Sequence, residues 1–62
     1  MTDDLEKHVK KLRSRARQAA MDLHDLSEEL PNDWQRITEV AEACHEAHAR
    51  LAEAQAALAG KE

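Results

Sequence analysis

One break interrupts an otherwise continuous helical pattern, at Leu30-Pro31-Asn32-Asp33. Pro31 has no N–H and biases Leu30 away from the helical region, so a helix ends there. Asn32 is a good N-cap, and Gln35 sits three residues on to complete a capping box. Asp33 places negative charge in the next first turn, where the helix dipole favours it. The break predicts one domain of two helices, about 3–30 and about 33–59, joined by a turn at 31–32. Gly60 is the expected stop of the second helix, and Thr2 or Asp3 the cap of the first.

Apolar spacing on either side of the break says which faces are buried. Leu5, Val9, Leu12, Ala16, Ala19, Leu23, Leu26 and Leu30 alternate steps of four and three, a heptad seam. Trp34, Ile37, Ala41, Cys44, His48, Leu51, Gln55 and Leu58 keep the same alternation, and Val40, Ala47 and Ala54 flank and widen that seam. A stripe this wide suits a helix with two neighbours. A short turn makes the helices antiparallel, and two helices alone leave one apolar side uncovered. The expected fold is all-α, an antiparallel two-helix hairpin that pairs as a homodimer into a four-helix bundle.

Composition narrows the function. A chain of 62 residues struggles to bury enough apolar surface alone and usually needs disulfides, metal or oligomerisation. One cysteine forms no intrachain disulfide and no C-x-x-C site. One glycine builds no phosphate-cradling loop. No apolar run approaches the roughly 20 residues of a membrane helix, and no signal peptide opens the sequence. A cytoplasmic location is expected. A net charge of −4 does not suit a general nucleic-acid binder.

Charge is polarised along the chain. Residues 7–17 hold Lys7, Lys10, Lys11, Arg13, Arg15 and Arg17 and no acid. Residues 22–46 hold eight acids against Arg36 alone. The basic stretch could grip RNA, with a salt dependence to match, but one tryptophan is no stacking platform. Its plainer reading is a solvated face, with Asp3 and Glu6 four residues before Lys7 and Lys10.

Three groups of residues are candidates for chemistry. Cys44 and His48 share a helix face, and His45 lies three residues before His48. Thiolate and imidazole suit zinc or another borderline metal, and a structural zinc wants four ligands. A two-fold axis near mid-helix would supply the second pair. The plainer reading makes Cys44 a small hydrophobe, His48 a boundary residue, and His45 a surface residue. Around the turn, Trp34 either plugs the hairpin end against Leu26 and Leu30 or anchors a partner protein. His24, Asp25, Glu28, Glu29 and Asp33 surround it as the partner-docking candidates, with His24 held by Glu28 in the plainer reading. No catalytic constellation is found: Ser14 and Ser27 have no defensible histidine and acid, so the chain is expected not to be an enzyme.

The stretch Met21-Asp-Leu-His-Asp-Leu-Ser-Glu-Glu-Leu-Pro-Asn-Asp-Trp34, followed by Ile37, Glu39, Val40 and Ala41, is distinctive. It resembles a family of small uncharacterised Rop-like proteins encoded in nitrogen-fixation gene clusters, often beside the gene for the cofactor carrier NifX. The resemblance covers most of the chain, and residues 19–42 carry its specificity. It implies a helical hairpin that dimerises and an accessory role in nitrogen fixation, in contact with nitrogenase or cofactor-assembly proteins. It carries over no catalytic residue, and no cofactor is expected beyond the possible transition metal at Cys44 and His48.

Overall fold

The computed structural model describes residues 2–60. Helix α1 spans Thr2–Glu29, with Asp3 and Asp4 in its first turn, where they complement the helix dipole. Thr2 and Asp3, expected as caps, are already helical. After α1 the Asn32 N–H donates to the Glu29 carbonyl at 2.9 Å, closing the turn. Helix α2 spans Ile37–Gly60, and the two helices pack as an antiparallel hairpin.

The entry to the second helix corrects the sequence expectation. Helical structure was expected from about residue 33, behind a capping box at Asn32 and Gln35. Instead Asp33 adopts a left-handed backbone (φ 59°, ψ 27°) and makes no side-chain capping bond. Trp34–Arg36 then form one 3-10 turn, and α2 begins at Ile37. The reason is local. A left-handed residue reverses the chain in one step, and Asp tolerates it better than most side chains. The Arg36 N–H donates to the Asp33 carbonyl at 2.9 Å, so the i+3 pattern replaces the start of an α-helix. Gly60, the expected stop of the second helix, is the last residue of α2 among the described residues.

The first seam packs as its spacing predicts up to Leu26, while Leu30, its expected last member, lies beyond α1 and is exposed. Val9, Leu12, Ala16 and Leu26 are buried, and Leu5, Ala19 and Leu23 are half-buried. Val9, Leu12 and Ala54 form a central cluster, with Leu51 and Leu58 packed against it. The second seam is rotated. Its most buried members are Val40 and Ala54, which were expected to flank it. The stripe that meets α1 runs Val40, Cys44, Ala47, Leu51, Ala54 and Leu58, while Trp34, Ile37, His48 and Gln55 are exposed. The hairpin covers only one edge of a stripe wide enough for two neighbours.

The result is long and thin. The molecule measures 46 × 14 × 11 Å. Its radius of gyration is 14.3 Å, against roughly 11 Å for a compact domain of this length. Few large side chains are buried, and each contributes about 1.5–3 kcal/mol.

Candidate functional site

The turn end carries the largest exposed apolar side chains. Trp34 is 61% exposed, Met21 55%, and Leu30 and Ile37 both 39%. Trp34 therefore does not plug the hairpin end against Leu26 and Leu30. Its 3-10 turn, re-aimed by Asp33, holds the indole out of the core, where Leu26 packs without it.

Beside this end the two helices enclose an open groove of ≈ 520 Å³. Its floor is Ala19, Leu26, Val40 and Ala43, and its rim is Asp22, Asp25, Glu29, Glu39 and Arg36. The i, i+3 and i+7 spacing of Asp22, Asp25 and Glu29 puts all three on one side of α1. Arg36 Nε reaches Glu39 Oε1 at 3.3 Å, an exposed pair that leaves most of the rim negative. Of the docking candidates, Asp25 and Glu29 line this groove. His24 and Glu28 do not; they pair with each other at 3.5 Å on the exposed surface. Asp33 lies in the connecting turn. Asp22, Arg36 and Glu39 were missed, although the helical spacing of Asp22 from Asp25 and Glu29 was legible.

A second groove of ≈ 540 Å³ lies at mid-height, lined by Leu23, Ala41, Cys44, His45, His48 and Ala49. It continues onto the back of α2 beside Ile37 and Thr38. Cys44 is half-buried and His48 exposed. His48 Nδ1 lies 2.9 Å from the Cys44 carbonyl and 3.7 Å from its sulfur. A carbonyl only accepts, so in this contact Nδ1–H is the donor. His45 does not join this pair; it also faces Glu42 and Glu46 in the outer groove. Among the described residues no three His, Cys, Asp or Glu of one chain converge on a metal position.

The basic stretch stays exposed on α1. The expected pairs of Lys7 with Asp3 and Lys10 with Glu6 do not close; among the described residues the ion pairs are His24–Glu28, Arg36–Glu39 and Arg50–Glu46. No helix is long and apolar enough to cross a membrane among the described residues.

A family profile described as Rop-like matches residues 1–62. The chain belongs to the Rop-like family. The Rop-like chain is 48% identical over 64 aligned positions to the UPF0437 protein y4xE of Sinorhizobium fredii, covering all of this chain and 96% of that protein. It is 41% identical to the UPF0437 protein asl1434 of Nostoc sp., over 82% of this chain and 72% of that protein. It is also 39% identical to a Frankia alni protein named "UPF0437 protein in nifX-nifW intergenic region", over 76% of this chain and 57% of that protein. No solved structure matches. The gene position in that last name ties a relative of this Rop-like chain to a nitrogen-fixation region.

Proposed function

We propose that the protein is a non-enzymatic accessory factor of nitrogen fixation, a homodimeric four-helix bundle that contacts nitrogenase or a cofactor-assembly protein in the cytoplasm. The observation that carries the reading is the relative named for its place between nifX and nifW. The exposed Trp34 beside an acid-rimmed groove supports a docking role: tryptophan is enriched among residues that dominate protein interfaces. Both grooves are open and shallow, unlike the enclosed apolar pockets that bury a small substrate.

The exposed area supports a dimer. The chain exposes 4971 Å², whereas a compact monomer of this mass exposes about 4,000 Å². The excess of roughly 900 Å² matches one partner's share of a standard interface, about 800 Å². The exposed Ile37 and His48, with the half-buried Ala41 beside them, are the surface assigned to a second copy.

Trp34 is the sole tryptophan and reports on docking directly. Purified nitrogenase components and cofactor-assembly proteins are titrated into the chain after their own tryptophans are replaced by a non-fluorescent analogue. The expected outcome is a blue shift of Trp34 emission with one of them, with binding lost in Trp34→Ala. Unchanged emission and no co-migration with any of these proteins overturns the reading.

A further inference from the structure

We infer that the acid-rimmed groove beside the turn takes a basic amphipathic helix of a partner protein, its small apolar face on the groove floor and its lysines or arginines against the carboxylates of α1. The inference rests on the docking role proposed above and names the chemistry of the segment that docks.

The groove is unevenly charged once its own ion pairs are set aside. Beyond Ala43 it continues toward mid-height as a smaller hollow of ≈ 250 Å³ that includes Leu12 and Ala47. The two stretches together carry Asp22, Asp25, Glu29, Glu39 and Glu46 against Arg15, Arg36 and Arg50. Arg36 closes on Glu39 at 3.3 Å and Arg50 on Glu46 at 2.7 Å. What remains is Asp22, Asp25 and Glu29 at the turn end and Arg15 at the far end. Among the described residues those three carboxylates form no ion pair; Asp22 accepts one hydrogen bond, from Gln18 Nε2 at 3.0 Å. Like charges three and four residues apart on a helix destabilise it. A cationic partner therefore relieves repulsion within α1 as well as adding attraction across the interface.

The kind of cation follows from spacing. The carboxylates do not converge: among the described residues no three His, Cys, Asp or Glu share a metal position. They climb α1 in steps of three and four, so Asp22 and Glu29 lie roughly 10.5 Å apart along the axis at 1.5 Å per residue. One ion cannot meet charges spread over two turns. Cations carried on the same pitch can, and a partner helix with lysine or arginine at i, i+3 and i+7 has that pitch. RNA and an anionic lipid surface carry the wrong sign.

The floor suits a helix. Ala19 and Ala43 are small, and Leu26 and Val40 are buried between the rims. Two helices with small residues between them leave a furrow that accepts the side-chain ridge of a third. An apolar groove of this kind recognises an amphipathic helix through anchors at helical spacing. Ile37, Ala41 and His48, assigned above to a second copy, line the other grooves and not this one. The two partners therefore do not compete.

The probe is a blocked peptide of about 18 residues, long enough to form a helix in water, with leucine and alanine on one face and lysine flanking them. Two control peptides carry glutamate or glutamine in place of every lysine. Each is titrated into the isotope-labelled full chain, and Kd is read from the backbone amide shifts. The expected result is saturable binding of the lysine peptide alone, with shifts centred on Ala19, Leu26, Val40 and Ala43, weakening as salt rises. Reversing two exposed rim charges, Asp25→Lys with Glu29→Lys, should weaken it by more than about tenfold, since like charges then face each other. Arg36→Gln should tighten it about two- to fivefold, the scale of one exposed charge, a gain that damage to the fold would not produce. No binding of the lysine peptide, or equal binding of either control, overturns the inference. So does a changed mass of the chain itself in the double variant by sedimentation, which would put a second copy in the groove. A nitrogen-fixation protein that shifts Trp34 emission while the lysine peptide leaves the groove amides unmoved keeps the docking role and removes the basic helix. The lysine peptide binding where no such protein does keeps the groove's specificity and removes the role in nitrogen fixation.

Discussion

The two helices use their apolar residues differently. On α1 four residues are buried, two of them leucines, and all face the hairpin partner. On α2 only Val40 and Ala54 are buried, while Ile37 and His48 are exposed and Ala41 between them is half-buried beside the small Ala49. The first helix has one neighbour that defines it. The second has an apolar stripe too wide for that neighbour, and small side chains along the surplus. Large residues on one side of a hairpin set its internal core; small ones on the other leave a surface shaped for close approach by another helix.

The comparison breaks most visibly at Leu12. It is 7% exposed and sits in the central cluster with Val9 and Ala54. Leu12→Ala should cost about 2–5 kcal/mol, enough to unfold most of so small a domain, measured as a lost urea transition by circular dichroism. A next-smaller effect belongs to the outward strip. Ala41→Glu adds a charge where the proposed second copy packs, and an unpaired buried charge is strongly disfavoured. About 2–3 kcal/mol of association should be lost, a rise of roughly 30- to 150-fold in the dimer dissociation constant by sedimentation. If Ala41→Glu left that constant unchanged, the strip would not be the interface, and α1 and α2 would differ in composition only.

Most of the fold was legible because it rests on period. The seam from Leu5 to Leu26 fixes one face of α1 whatever surrounds it, and Pro31 fixes the end of that helix. Which edge of the α2 stripe meets α1 was not legible. Ala41, Ala47, Cys44 and His48 satisfy a heptad equally well in two rotations, and with no large residue to choose between them, the packing of Val9 and Leu12 decides. The 3-10 entry was hidden for another reason. Asn32 and Gln35 make a good capping box on paper, but the left-handed backbone at Asp33 is a property of the turn as a whole. Trp34 follows from that, since a residue on the seam of an α-helix faces elsewhere when its turn is 3-10. In the candidate site, the acids at Asp25 and Glu29 were visible by composition; their union with Arg36 and Glu39 across the groove needed the hairpin.

The smallest effect expected on stability is the most informative about Trp34. A tryptophan wedged into a hairpin end loses about 3–5 kcal/mol on truncation to alanine. At 61% exposure Trp34→Ala should change unfolding free energy by less than about 0.5 kcal/mol, as surface substitutions do. The same variant should lose docking to the proposed nitrogen-fixation partner altogether. That split separates a residue kept for folding from one kept for recognition. A loss above about 2 kcal/mol in the isolated protein, within the range of core truncations, would mean that the second copy covers the indole. Trp34 would then belong with the strip on α2, and the turn end would no longer be a free docking surface.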